Sequence, residues 1–157
     1  MKVARLTLSD RASAGVYADL SGPEIERILG LAGVVVTEWI RRVMPDDRLA
    51  IEEVFKQLVD DERCDLVLTT GGTGPSARDV TPEATHDVLE KELPGFGEAM
   101  RMLSFPAVPT AILSRATAGT RGKTLILNLP GNPWAIGECL PPLLPAIREA
   151  LRHLAGE

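Results

Sequence analysis

Asp65-Leu66-Val67-Leu68-Thr69-Thr70-Gly71-Gly72-Thr73-Gly74-Pro75-Ser76-Ala77-Arg78-Asp79-Val80-Thr81-Pro82-Glu83 holds, in one run, a strand, a long loop and the start of a helix. The apolar residues at its head are a run of strand length. Pro82 suits the first helical position, where its missing N–H would be unpaired anyway, and Thr81 before it has the hydroxyl of a cap. The loop between them is about ten residues, longer than a connection needs. Its glycines allow positive φ and leave backbone N–H groups unobstructed, so that several can converge on one anion such as a phosphate. Two glycine motifs fail here. A nucleotide-hydrolase phosphate loop needs Lys-Ser or Lys-Thr behind its last glycine, and Pro75-Ser76 follows Gly74 instead. Gly72-Thr73-Gly74-Pro75-Ser76-Ala77 fits the dinucleotide fingerprint in letters, but that fingerprint opens its helix inside the glycines and this helix opens near Thr81.

The rest of the chain repeats the strand-then-loop pattern. Lys2 to Leu8 reads as a first strand running into the polar loop Ser9 to Asp19. Ser21-Gly22-Pro23-Glu24 starts a helix with Ile25, Ile28, Leu29 and Ala32 on one face and Gly33 as its stop. Val34 to Met44 is a second strand, ended by Pro45-Asp46-Asp47, and a helix with Ile51, Val54, Phe55 and Leu58 follows to about Asp61. The helix from Pro82 is expected to run to about Glu92, and Pro94 to Glu98 breaks it and starts a short helix through Arg101. Thr110 to Ser114 fits a strand or a helix. Ala116 to Arg121 and Thr124 to Leu129 form a hairpin about Arg121-Gly122-Lys123. Pro130-Gly131-Asn132-Pro133 then opens one helix, and a separate final helix is expected from about Pro142 to Leu154. Alternating strands and helices predict an α/β sandwich whose mostly parallel sheet is covered on both faces.

Parallel strands send their C-terminal loops to one edge, and ligands bind there where the strand order reverses. Ser9-Asp10-Arg11, Pro45-Asp46-Asp47, the 70 to 81 loop and Pro130 to Pro133 should therefore share a crevice. It would contain carboxylates, hydroxyls and amides, with Arg11, Arg78, Arg101 and Arg115 as candidate cations and neither histidine nor thiol. That set suits phosphoryl or nucleotidyl transfer, in which catalysis is mostly positioning and charge neutralisation. Asp46 and Asp79 could hold Mg²⁺ together with substrate phosphates. Each residue has a plainer reading. Asp46 could cap the following helix, Asp79 could close an Asx-turn, and Asp10 could hold its own loop. Arg78 and Arg115 could be surface charges, Arg101 could pair with Glu98, and His86, His153, Trp39 and Trp134 could be surface or packing groups.

Composition narrows the partners. The 157 residues carry 17 Lys plus Arg against 22 Asp plus Glu, a net charge of −5. With no basic tract, nucleic acid is not expected as a partner. No apolar run approaches the roughly 20 residues of a membrane span, and no leader is evident, so a cytoplasmic protein is expected. Cys64 and Cys139 are far apart and without nearby histidines, which makes them core thiols by default.

Ser9-Asp10-Arg11-Ala12-Ser13 with Gly15-Val16-Tyr17, Leu68 to Pro75 with Arg78-Asp79-Val80-Thr81-Pro82, Pro94 to Glu98, Thr110 to Arg115 and Asn128-Leu129-Pro130-Gly131 together resemble the MogA/MoaB family of molybdenum-cofactor biosynthesis proteins, in order and over nearly the whole chain. The resemblance implies one molybdopterin-binding domain over residues 1–157, a three-layer α/β/α sandwich that assembles as a homotrimer. It implies a Mg²⁺-dependent adenylyltransferase moving AMP from ATP to molybdopterin and serving a downstream metal-insertion protein. It assigns catalysis and the metal to Asp46 and Asp79. Substrate binding falls to Ser9, Asp10, Thr70, Gly71, Gly72, Thr73, Gly74, Ser76, Pro130 and Gly131. Asn132 departs from the Ser or Gln common at that place. A binding-only carrier of molybdopterin is the alternative.

Overall fold

The computed structural model describes residues 1–157. In chain order the elements are β1 (Lys2–Leu8), α1 (Asp10–Ser13), α2 (Ser21–Leu31), β2 (Glu38–Met44), α3 (Arg48–Lys56), β3 (Leu66–Thr70), α4 (Thr81–Val88), β4 (Lys91–Glu92), α5 (Gly95–Ser104), β5 (Ala118–Arg121), β6 (Thr124–Leu129) and α6 (Pro133–Ala155). The sheet order is β2-β1-β3-β6-β5-β4. β2, β1, β3 and β6 are parallel, while β5 pairs antiparallel with β6 and β4 antiparallel with β5. The three-layer, mostly parallel sandwich with its edge hairpin is thus the observed fold.

Alternation along the strands divides the core. Val3, Leu66, Leu68, Leu125 and Leu127 face one way, onto α2, α5 and α6 through Ile25, Leu29, Met100, Ile136 and Leu140. Ala4, Leu6, Leu8, Val67 and Ile126 face the other way, onto Ile51 and Phe55 of α3 and Ala84 and Val88 of α4. Strands buried on both faces read as near-continuous apolar runs, as β3 does. Cys64 and Cys139 are buried, and burial pushes the Cys64 thiol up to about 11.

Three local expectations are corrected and one left open is decided. The chain after Val88 does not stay helical to Glu92, because Lys91 and Glu92 pair with Thr120 and Gly119 as the edge strand. The polar loop after β1 begins with the short helix α1, capped by Ser9 Oγ accepting from Ala12 N–H. The ambiguous segment is a 3-10 turn, Pro109–Leu113. The two C-terminal helices are one of 23 residues that runs through Pro141, Pro142 and Pro145. All three prolines lie on its exposed side, while Ile136, Cys139, Leu140, Leu143, Leu144 and Ile147 make a continuous buried stripe. Packing of that stripe outweighs the lost backbone bonds.

Asn128, fully buried in β6, joins three elements. Its Nδ2 donates to Thr69 Oγ1 of β3 (3.1 Å) and Thr85 Oγ1 of α4 (2.9 Å), and its Oδ1 accepts from Thr117 N–H (3.3 Å). Replacing it strands buried polar groups, each of which costs about 1–3 kcal/mol. Asn128→Leu is therefore expected to lower the unfolding free energy by about 2–3 kcal/mol, measured by urea titration with an unchanged m-value.

Candidate functional site

β1 and β3 are neighbours, but the chain leaves β1 toward β2 on one side and arrives at β3 on the other. The loops beyond them diverge, and a cleft of about 590 Å³ opens between. It is lined by Ser9, Tyr17, Asp19 and Ser21 from the first connection, Asp46 after β2, Thr70, Gly71, Gly72 and Asp79 after β3, and Gly131 to Pro133 after β6. This is the crevice that alternation predicts.

The glycine loop leaves β3 with Gly71 at φ +95° and Gly72 at φ +65°. A Cβ on Gly71 would stand 2.3 Å from Leu8 O, and one on Gly72 would stand 2.3 Å from Thr81 Oγ1 and 2.9 Å from Asp46 Oδ1. Only glycine fits against the carboxylate there. None of the N–H groups of Gly71 to Gly74 is used in a turn, loop or cap bond. Thr81 does not cap α4, which opens at Val80 without a side-chain cap. Its Oγ1 instead donates to Gly71 O (2.9 Å) and its N–H to Gly72 O (3.1 Å), folding the loop back onto the helix.

Asp46 is not the helix cap. Asp47 takes that role, its Oδ1 accepting from Ala50 N–H at 3.0 Å. Asp46 and Asp10 bridge each other: Asp10 N–H donates to Asp46 Oδ2 and Asp46 N–H donates to Asp10 Oδ1, both at 3.0 Å. Arg78 closes on Asp10 with two bonds of 2.8 Å. Those bonds, then the Asp46 amide, hold the Asp10 carboxyl below the usual aspartate range. Asp46 moves the other way: burial raises it most, and the charges of Asp10 and Asp79 add to that, against the Asp10 amide and Arg78. Asp46 Oδ1 is buried and has no hydrogen-bond partner, and it is alone among the buried side-chain oxygens and nitrogens in this. Asp79 Oδ2 accepts from Ser76 N–H (2.9 Å) and Oγ (2.6 Å), so the Asx-turn exists and the carboxylate still lines the cleft.

Of the residues singled out in the sequence, Ser9, Asp46, Thr70, Gly71, Gly72, Asp79 and Gly131 line the cleft. Asp10 and Ser76 stand behind it and hold Asp46 and Asp79. Thr73 is buried, Thr73 and Gly74 present their carbonyls to Arg115, and Pro130 O accepts from Thr70 Oγ1 at 2.6 Å. The four candidate cations do not line the cleft. Arg11 lies over the Tyr17 ring at 5.2 Å, and Arg101 bonds the carbonyls of Ser114 and Ala116 rather than Glu98. His86 pairs with Glu92 at the surface, and Trp134 is 78% exposed rather than packed.

Sequence reasoning passed over Tyr17, Asp19 and Ser21. Tyr17 Oη bonds Ser9 Oγ (2.8 Å), and Ser21 Oγ donates to Gly131 O (2.7 Å), joining the first loop to the last. Asp19 accepts from Arg5 (2.8 Å), Thr7 Oγ1 (2.9 Å) and Gly22 N–H (3.0 Å). The signal for Asp19 was a buried arginine in a strand, which requires a carboxylate partner close by.

Comparison with known proteins agrees with this architecture. Residues 4–149 match the family described as "Probable molybdopterin binding domain". The chain is 54% identical over 151 residues to a protein of Helicobacter pylori strain 26695 named molybdopterin adenylyltransferase, covering 96% of this chain and 86% of that one. It is 50% identical over 140 residues to the Escherichia coli K12 protein of the same name, covering 89% and 72%. Among solved structures, the molybdopterin biosynthesis enzyme MoaB of Thermus thermophilus superposes with a TM-score of 0.90 at 40% identity, covering 99% of this chain and 97% of that one. With its fold and nearly its full length shared, this chain belongs to the molybdopterin-binding MogA/MoaB family.

Proposed function

We propose that this chain is a molybdopterin adenylyltransferase of molybdenum-cofactor biosynthesis, transferring AMP from ATP to the phosphate of molybdopterin. The observation that carries the reading is Asp46 Oδ1, a buried carboxylate oxygen without a partner, in a cleft that also holds Asp79 and into which no lysine or arginine projects. A lone buried carboxylate is costly unless a cation or proton meets it. Asp46 and Asp79 are hard oxygen donors of the kind Mg²⁺ takes alongside substrate phosphates. Bound there, Mg²⁺ would supply the positive charge that two polyanionic substrates need in an acidic cleft.

The chain's own groups account for the remaining work. The free amides of Gly71 and Gly72 donate to phosphate oxygens, and the αL geometry of these residues directs them without a side chain in the way. Ser9, Thr70 and Ser21 line the cleft with hydroxyls whose positions are set by Tyr17, Pro130 O and Gly131 O. An oxygen of the molybdopterin phosphate attacks the α-phosphorus of ATP. The new P–O bond forms as the bond to the β-phosphate oxygen breaks, and pyrophosphate leaves with that electron pair. Orientation and charge neutralisation suffice for such a step, and no side chain need be a nucleophile. A binding-only carrier would have less use for the buried, unpartnered Oδ1 of the half-buried Asp46.

We infer further that the protein works as a homotrimer. Leu103, Phe105, Val108, Ile112 and Leu113 are large apolar residues exposed on one segment, and Trp134, next to the last loop in sequence, is exposed as well. Surfaces of this kind mark subunit contacts. No helix is long and apolar enough to cross a membrane.

Incubation with molybdopterin, Mg²⁺ and α-labelled ATP should give a labelled pterin product by chromatography. Asp79→Asn and Asp46→Ala should each keep the fold and lose at least about 100-fold in transfer, as removal of a group acting on transition-state charge does; undiminished turnover in either removes that residue from the site. A second expectation concerns protons. Because the folded Asp46 holds its proton more tightly than an unfolded aspartate, its ionisation costs stability as pH rises through the raised value. In metal-free buffer Asp46→Asn should therefore melt higher than the wild type at pH 7, and the gap should close as acidification protonates Asp46. Added Mg²⁺ with ATP should raise the melting temperature of the wild type only.

A further inference from the structure

Arg115 lies outside the cleft, yet it holds the loop that forms one wall of it. Its backbone N–H donates to Thr73 O at 2.8 Å. Its Nε donates to Gly74 O and its Nη2 to Asp79 O, both at 2.9 Å. Nη1 reaches the Glu83 carboxylate in the first turn of α4, and Arg115 holds that carboxyl below the usual glutamate range. One residue thus binds carbonyls at positions 73, 74 and 79, the two ends of the segment that presents Asp79. The anchor is itself fixed from behind, since Arg101 of α5 donates to Ser114 O (3.0 Å) and Ala116 O (3.2 Å), on either side of Arg115.

From this geometry we propose that Arg115 is a positioning residue for Asp79, setting the shape of the 73–79 segment before any substrate or metal arrives. The inference rests on the reading of Asp79 as a metal-holding carboxylate. A guanidinium turned toward backbone carbonyls and Glu83 is not aimed at a transferring phosphate. It also explains why an arginine is needed: donors on three separate nitrogens of a planar fork reach three separated acceptors, which an ammonium with its donors on one atom cannot span. Groups that orient a ligating carboxylate in this way typically change metal affinity or activity by about 10–100-fold when removed.

The test compares wild type, Arg115→Ala and Arg115→Lys by amide hydrogen exchange without metal and by the Mg²⁺ dependence of AMP transfer. Faster exchange at the hydrogen-bonded amides of the loop, Ser76, Asp79 and Thr81, with β1 and β6 still protected, is the expected result in both variants. The Mg²⁺ concentration for half-maximal transfer should rise about 10–100-fold, with KM for molybdopterin unchanged. Millimolar guanidinium should partly restore Arg115→Ala. Exchange and Mg²⁺ dependence like those of the wild type would overturn the proposal. So would a fall in kcat with an undisturbed loop, which would put the guanidinium on the reacting phosphate. A general loss of protection in both variants would make Arg115 a residue of global stability and equally overturn it. If the wild type transfers no AMP, the enzymatic reading fails, and the exchange data still decide whether Arg115 holds the loop.

Discussion

The site depends on the pairing of β1 with β3, whose connections leave the shared edge in opposite directions. Backbone hydrogen bonds fix the two strand ends side by side, and the loops beyond them cannot close over each other. What fills the gap is decided locally, by which residues can stand there without a Cβ and which can reach across. Gly71 passes against Leu8 O at the end of β1, so the two strands remain in contact one residue past the ladder. The bridge between Asp10 and Asp46 and the bond from Ser21 to Gly131 then fasten the rims.

Charge is arranged unusually around this opening. The protein is acidic, and its cleft is lined by three aspartates. Most arginines near it are occupied by oxygen acceptors: Arg5 with Asp19 and Glu26, Arg78 with Asp10, Arg115 with Glu83 and carbonyls, Arg101 with carbonyls, while Arg11 lies over the Tyr17 ring. Of the three cleft aspartates, Asp19 is fully bonded and Asp79 is partly so. Asp46 alone keeps an unpartnered buried oxygen. The arginines build the walls, and the attraction for anionic substrates is left to amide groups and to a cation that the chain itself does not provide.

Much of this was legible in the sequence, and the exceptions have physical causes. The strands, the glycine loop and the shared edge followed from periodicity and from the topology of parallel sheets. The role of Asp46 could not be separated from that of Asp47, since either aspartate suits a cap and only the observed backbone places Asp47 there. Arg101 and Arg115 read as candidate cations, or as a partner of Glu98 and a surface charge, because a sequence gives a guanidinium no direction. Apart from Glu83, their acceptors are carbonyls, which no sequence displays. Lys91 and Glu92 gave no strand signal, because a two-residue edge is set by its partner rather than by its own preference.

The prolines of α6 bear on how the chain is made. Each costs about 3 kcal/mol relative to alanine in a helix interior, so residues 133–155 would not hold a helix by themselves. That element condenses only on a surface already built, and every strand of the surface lies before it in the chain. During synthesis, the sheet face carrying Val3, Leu66 and Leu127 therefore stays only partly covered, by α2 and α5, until α6 is released. The interval between completion of β6 and arrival of α6 is when this protein is most exposed to self-association and most in need of a chaperone.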